Sequence, residues 1–243
     1  MTRRNSLVAL AMVFLVAGGA AAMGVSGNGT VVEETRAVSG FERVDLSGVG
    51  TLVLRIGSTE SVRVRTDENL MRHIETEVVG NRLRLRPEPG VTIRNVTELT
   101  YTVTVRSLRA VTLSGAAEVR NEGRSIGADS FDLQISGDGE ADLSLDVREL
   151  DLSISGAGDV RLRGTAEGGT IEISGSGGVE ARELSLQRAE VRVSGAGDVE
   201  LSVTERLDVR VTGAGTVRYY GSPRVDSSVS GAGNVVSAGE GEE

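Results

Sequence analysis

The sequence has no cysteine, no lysine and no tryptophan, one histidine and three prolines, and aromatics make up 2% of its 243 residues. Each absence removes a class of solution. Without cysteine, the fold cannot be held by disulfides. With His73 as the sole histidine and no thiolate, a zinc site of ordinary composition cannot be assembled. The lack of lysine excludes Ser–Lys dyads and Schiff-base chemistry. A Ser-His-Asp triad would need His73, whereas most serines lie in the repeated motifs described below. Few rings mean an interior of Val, Leu and Ile and little surface on which to stack nucleobases. The formal charge of −9 opposes both a phosphate backbone and anionic lipid. No nucleic-acid partner is expected.

What is present begins with an export signal. Arg3 and Arg4 precede the apolar run "LVALAMVFLVAGG", and the small residues at 20–22 predict cleavage after Ala22. A retained N-terminal membrane anchor is the alternative, although the run is short for a bilayer span. No cysteine follows, so a lipid anchor is excluded. Processing removes two arginines and moves the formal charge from −9 to −11. Residues 23–38 read as a flexible leader, and 237–243 as a short acidic tail.

The remainder is repetitive. Ser114, Ser136, Ser155, Ser174, Ser194, Thr212 and Ser230 each open a motif of the type "SGAGDV", in steps of 22, 19, 19, 20, 18 and 18 residues. An isolated earlier copy, "LSGVGTLVL", places its serine at Ser47. A period near 20 with β-type alternation is the signature of stacked coils. Counting from the serine, positions −5, −3 and −1 are hydrophobic in the copies at Ser136, Ser155 and Thr212, and +5 and +7 in those at Ser155, Ser194 and Thr212, as in Leu150, Leu152, Ile154, Val160 and Leu162. All are odd, so they share one face of the strand, and that face is the buried one. Tyr219 falls inward and Tyr220 outward on the same count.

The glycines also fall at odd positions, +1 and +3. They are Gly115, Gly137 and Gly139, Gly156 and Gly158, Gly175 and Gly177, Gly195 and Gly197, Gly213 and Gly215, and Gly231 and Gly233, with Gly48 and Gly50 in the earlier copy. Ala117 replaces one of them. They read as structural corner residues, where the interior is pinched and a side chain would strike the next coil. A dinucleotide loop is a poor match, since "GAGDVR" lacks the third glycine and strands flank it on both sides. Calcium-binding nonapeptides would require a nine-residue period and a constant acid. Here position +4 varies through Glu118, Glu140, Asp159, Gly178, Asp198, Thr216 and Asn234. Outward position −4 gives Asp132, Asp151, Thr170, Glu190, Asp208 and Asp226. Stacked at about 4.8 Å, these like charges repel unless Arg192, Arg210 or weakly bound cations intervene.

Residues 39–110 lack the period but alternate as strands, except around "DENLMRHIETEVVG". There Asp67 is placed to cap a short helical turn carrying Leu70, Met71 and Ile74. Gly80-Asn81 reads as a hairpin turn. The expected architecture is therefore all-β. It comprises one domain over 39–236, with an N-terminal β part at 39–110 containing one helical turn, and solenoid coils at 111–236.

Three stretches carry a family resemblance: Phe41–Leu52, "VRTDENLMRHIETEVVGNRLRLR", and Tyr101–Val119 leading into the "SGAGDV" coils. Over roughly residues 38–236 the chain resembles the bacterial exported family described as "putative auto-transporter adhesin, head GIN domain". The resemblance implies stacked, solenoid-like strands and no catalytic or cofactor-binding residues. The functional expectation is a non-catalytic exported envelope or surface protein, an adhesin or scaffold, in the periplasm or at the cell surface. Its partner would be a protein or a glycan, and its solenoid ends offer a route to homo-oligomers. The competing expectation is a polysaccharide-active or calcium-dependent enzyme using Asp138, Glu140 and Asp142.

Overall fold

A computed structural model describes residues 23–239. The expected export signal with its expected cleavage after Ala22, and residues 240–243, lie outside the described residues. Within them the chain is a β-solenoid of about 7 turns.

The coils are built by β9 (Ala110–Glu122), β10 (Ile126–Gly137), β11 (Glu140–Gly156), β12 (Asp159–Gly175), β13 (Gly178–Gly195), β14 (Asp198–Gly213), β15 (Thr216–Tyr220), β16 (Arg224–Gly231) and β17 (Asn234–Ser237). All pair in parallel, each coil lying on the one before it. Ile135, Ile154, Ile173, Val193 and Val211 are register partners in succession, and none is more than 2% exposed. The alternation read from the sequence thus becomes an aliphatic column that runs from coil to coil. Fully burying one such side chain contributes roughly 1.5–3 kcal/mol.

A coil must bend to close. One bend is the glycine motif. Another has no sequence signature: Val147 and Leu150 are both buried, while Arg148 and Glu149 between them are both exposed. Two consecutive outward residues shift the parity of the strand by one. Leu186 and Ala189 flank Gln187 and Arg188 in the same way. The uneven steps also have local causes. One extra residue at Arg182–Glu183 makes the 20-residue coil, and β14 then advances only from Leu201 to Ser202 while β13 goes from Ala181 to Ser185. In the 22-residue coil the chain bulges at 121–125. There the Asn121 carboxamide accepts from the Ser144 amide at 2.7 Å, replacing a missing ladder bond.

The isolated copy at Ser47 belongs to the same stack. It lies in β3 (Arg43–Ile56), which pairs with β9 from Arg43↔Ala110 to Arg55↔Glu122. On β3 the solenoid changes character. One half carries β6 (Arg82–Pro87) in parallel, then β5 (Ile74–Val79) antiparallel. The other carries β8 (Leu99–Val105) in parallel, then β4 (Ser61–Asp67) and β2 (Val31–Arg36), both antiparallel. These strands close the N-terminal end. Gly80, at φ +64°, opens the two-residue turn between β5 and β6, where a side chain would be strained.

Two expectations for this region are corrected. Residues 23–38 are not a flexible leader. β1 (Met23–Ser26) pairs with β7 (Val91–Arg94), and β2 continues the main sheet. Residues 31–36 find an edge on β4 that the sequence alone did not reveal. Asp67 precedes α1 (Glu68–Met71) but makes no side-chain cap bond. Its buried carboxylate instead accepts from the amides of Gly29 at 2.7 Å and Thr97 at 2.8 Å and from the Thr97 hydroxyl at 2.8 Å. Ile74 is buried as expected, but in β5 rather than in the helix.

Candidate interaction faces

The corners position everything outside them. The carbonyl of each +1 glycine accepts the +2 amide of the following coil, as Gly137 does from Ala157 at 3.1 Å and Gly156 from Ser176 at 2.9 Å. The carbonyl of each +3 glycine accepts the +4 amide in the same way: Gly139 from Asp159 at 3.0 Å, Gly158 from Gly178 at 3.1 Å, Gly177 from Asp198 at 3.2 Å. The +1 glycines Gly115, Gly137, Gly156, Gly175, Gly195, Gly213 and Gly231 are direct register partners, with Gly48 beneath them. All have positive φ. A Cβ on Gly137 would stand 2.7 Å from the Gly115 carbonyl oxygen, and one on Gly156, Gly175 or Gly213 closer still. A Cβ on Gly177 or Gly197, at +3, would stand 2.5 or 2.7 Å from the carbonyl oxygen of the +3 glycine before it. The glycines are thus where two backbones touch. Ala117 takes this position at the level that pairs with Gly50 of β3, and it is buried.

This fixed spacing lines up the outward side chains in rows. On the face that follows the corner, Glu118, Glu140, Asp159, Gly178, Asp198, Thr216 and Asn234 form one row. Two of its carboxylates serve the backbone: Asp159 accepts from the Gly178 amide and Asp198 from the Thr216 amide, each at 3.1 Å. The adjoining row is laced by arginine. Arg161 pairs with Glu180 at 2.7 Å, Arg163 with Asp142, Arg218 with Glu200, and Arg55 with Glu122 at 2.8 Å. Hydrogen bonds from Arg55 and Arg120 hold the Glu122 carboxyl below the usual carboxylate range. A shallow depression of about 330 Å³ lies between the rows, lined by Glu118, Glu140, Asp142, Asp159, Arg161 and Glu180.

On the face that precedes the corner, Asp132, Asp151, Thr170, Glu190, Asp208 and Asp226 are successive register partners. Their repulsion is offset by arginine from the same and neighbouring coils. Arg210 reaches Glu190 at 3.1 Å, Arg192 joins Glu190 to Glu172, and Arg206 binds Asp208 at 2.7 Å. The Arg206 bond lowers the Asp208 pKa.

Asp138 lies at a corner, while Glu140 and Asp142 point outward from the following strand, with Asp142 paired to Arg163. Among the described residues, no group of three or more His, Asp or Glu side chains is arranged to hold a metal. His73 bonds to Glu88 at 2.9 Å in the N-terminal region, apart from the coils. Tyr220, expected to face outward, is half-covered by the Arg182 guanidinium, 4.7 Å from its ring centre. That contact arises from the β13 bulge, which has no sequence motif.

The family model described as "Putative auto-transporter adhesin, head GIN domain" matches residues 40–223. The chain belongs to this family. Solved structures share the fold of this GIN domain. A "putative adhesin" of Bacteroides fragilis NCTC 9343 superposes with a TM-score of 0.82 at 25% identity, over 88% of this chain and 99% of that one. A "putative lipid binding protein" of Parabacteroides distasonis ATCC 8503 gives 0.75 at 19% identity, over 88% and 99%. A "putative adhesin" of Parabacteroides merdae ATCC 43184 gives 0.70 at 20% identity, over 89% and 100%. No curated protein matches the sequence. Among the described residues no helix is long and apolar enough to cross a membrane.

Proposed function

We propose that this GIN domain is a non-catalytic, exported binding module of the bacterial envelope. In this reading it works as an adhesin or scaffold whose protein or glycan partner lies across the outer faces of the coils. Family membership supports the adhesin class. The observation that carries the reading is the row geometry: charged side chains repeat at fixed spacing along a rigid stack, with their carboxylates and guanidinia held by neighbouring coils. Such a surface suits an extended partner that makes many weak polar contacts in register, which add up through multivalency. Trp is absent and Tyr220 is half-covered, so a glycan would be held by polar contacts rather than by stacking.

Glycan arrays and cell-adhesion assays with the exported protein test this. Binding should fall in Arg161→Glu and Arg192→Glu variants, each of which breaks one face while leaving the glycine corners intact. Absence of ligand and of any adhesion phenotype on deletion overturns the reading. So does sustained release of unsaturated product from uronic-acid polymers with calcium, if Asp138→Asn or Glu140→Gln abolishes it.

A further inference from the structure

The two ends of the stack are finished differently. At the N-terminal end the last strands are antiparallel and charged: β2 carries Glu33, Glu34 and Arg36, and β5 carries Glu75 and Glu77. Charged, short edge strands are how sheets avoid unwanted pairing. The C-terminal end has no antiparallel covering strands, and its edges carry only Arg224 and Asp226, both on β16. β16 pairs only with β14, and β17 only with β15, so among the described residues their outer edges have no partner. Residues 225–239 carry one charge, Asp226, against three in residues 207–221 and four in 189–203. The interior column surfaces here as well: Val229 continues Val193 and Val211 in register yet is 42% exposed, while Val236, the register partner of the outward Arg218, adds an exposed apolar side chain on the outer face at 43%.

We propose that this end pairs with a second copy of the chain, tail to tail, through antiparallel β16 strands. Head-to-tail stacking is closed, because the opposite end is covered by charged antiparallel strands, so the contact is isologous and stops at a dimer. β16 is complementary to itself. A two-fold axis at Ser227 sets Val225 opposite Val229 of the partner, and Asp226 opposite Ser228 of the partner, each twice. The inward parity of Val225 and Val229 is kept, so the aliphatic interior passes from one copy into the other. The inference stands apart from the adhesin reading, although a dimer would present every face twice.

Light scattering and sedimentation velocity on the exported protein, over a wide concentration range, should show monomer and dimer and nothing larger. Ser228 gives a test that folding does not confuse, because within the chain it lies beside Arg210. Ser228→Asp gains that neighbour but meets the partner's Asp226, so the monomer keeps its stability while the dimer weakens by about tenfold in Kd. Ser228→Arg loses locally yet faces the partner's Asp226, so the dimer tightens. A monomer at every concentration, oligomers beyond the dimer, or a dimer indifferent to both substitutions would overturn the proposal.

Discussion

The N-terminal closure and the repeat coils solve one problem in two ways. In the coils, each backbone group meets its counterpart one level away, and identical corners stack because glycine lets two backbones touch. Outside local bulges such as the one at Asn121, nothing specific to one coil is required. The closure cannot use repetition, since it must end the stack. It relies on particular polar side chains instead. Asp67 ties Gly29 to Thr97, and the Arg36 guanidinium donates to the Ile74 carbonyl at 2.6 Å and the Thr76 hydroxyl at 2.7 Å. It also holds the largest fully buried ring, Tyr101, whose hydroxyl pKa is raised by burial. Repetition makes a stack stable, and individuality makes it stop.

Breaking a corner should give the largest effect. Gly175→Ala places a methyl group against the Gly156 carbonyl at positive φ, and a loss of about 4 kcal/mol is expected in urea unfolding. Gly80→Ala, in the closure, has open space around its Cβ and keeps only the dihedral strain, about 1 kcal/mol. Next comes the interior column. Ile173→Ala, in mid-stack, should cost about 3 kcal/mol, whereas Val229→Ala in the last coil should cost under about 1 kcal/mol.

Asp67→Ala should act on the closure alone, with amide exchange rising in β1, β2 and β7 while β11–β13 stay protected. The carboxyl pKa is lowered in the fold, first by the Thr97 amide. A depressed folded pKa means stability that is present above the unfolded value, near 3.9, and lost as pH falls through the folded value. Acid should therefore loosen the closure more in the parent protein than in Asp67→Asn, which has no carboxylate to protonate. The smallest effect belongs to the rows: Glu190→Gln, losing its pairs with Arg192 and Arg210, should change stability by about 0.5 kcal/mol, less in high salt.

Much of the coil region is legible along the chain. The period, the inward parity of Leu150, Leu152 and Ile154, and the helical turn near Leu70 and Met71 all appear in residue order. The second bend is not, because Arg148-Glu149 is merely a pair of charged residues until Val147 and Leu150 are seen to share an interior. Nor is the pairing of β1 with β7 or the role of Asp67, since each depends on partners about 30 to 70 residues away. The same holds for the outer faces. The row at position −4 can be counted from the sequence, but its neutralisation by Arg206 and Arg210 depends on which coil each guanidinium leans toward.

By itself the sequence determined a stack of aliphatic strands cornered by glycine, because alternation and a steady period are local properties that any stacked chain must express. Only the tertiary structure decided how the stack is closed at its N-terminal end, which carboxylates answer to backbone amides and which to arginine, and where the interior is left uncovered. Those outcomes depend on contacts between residues distant in the chain, whose energies are set by geometry and burial rather than by order along the chain.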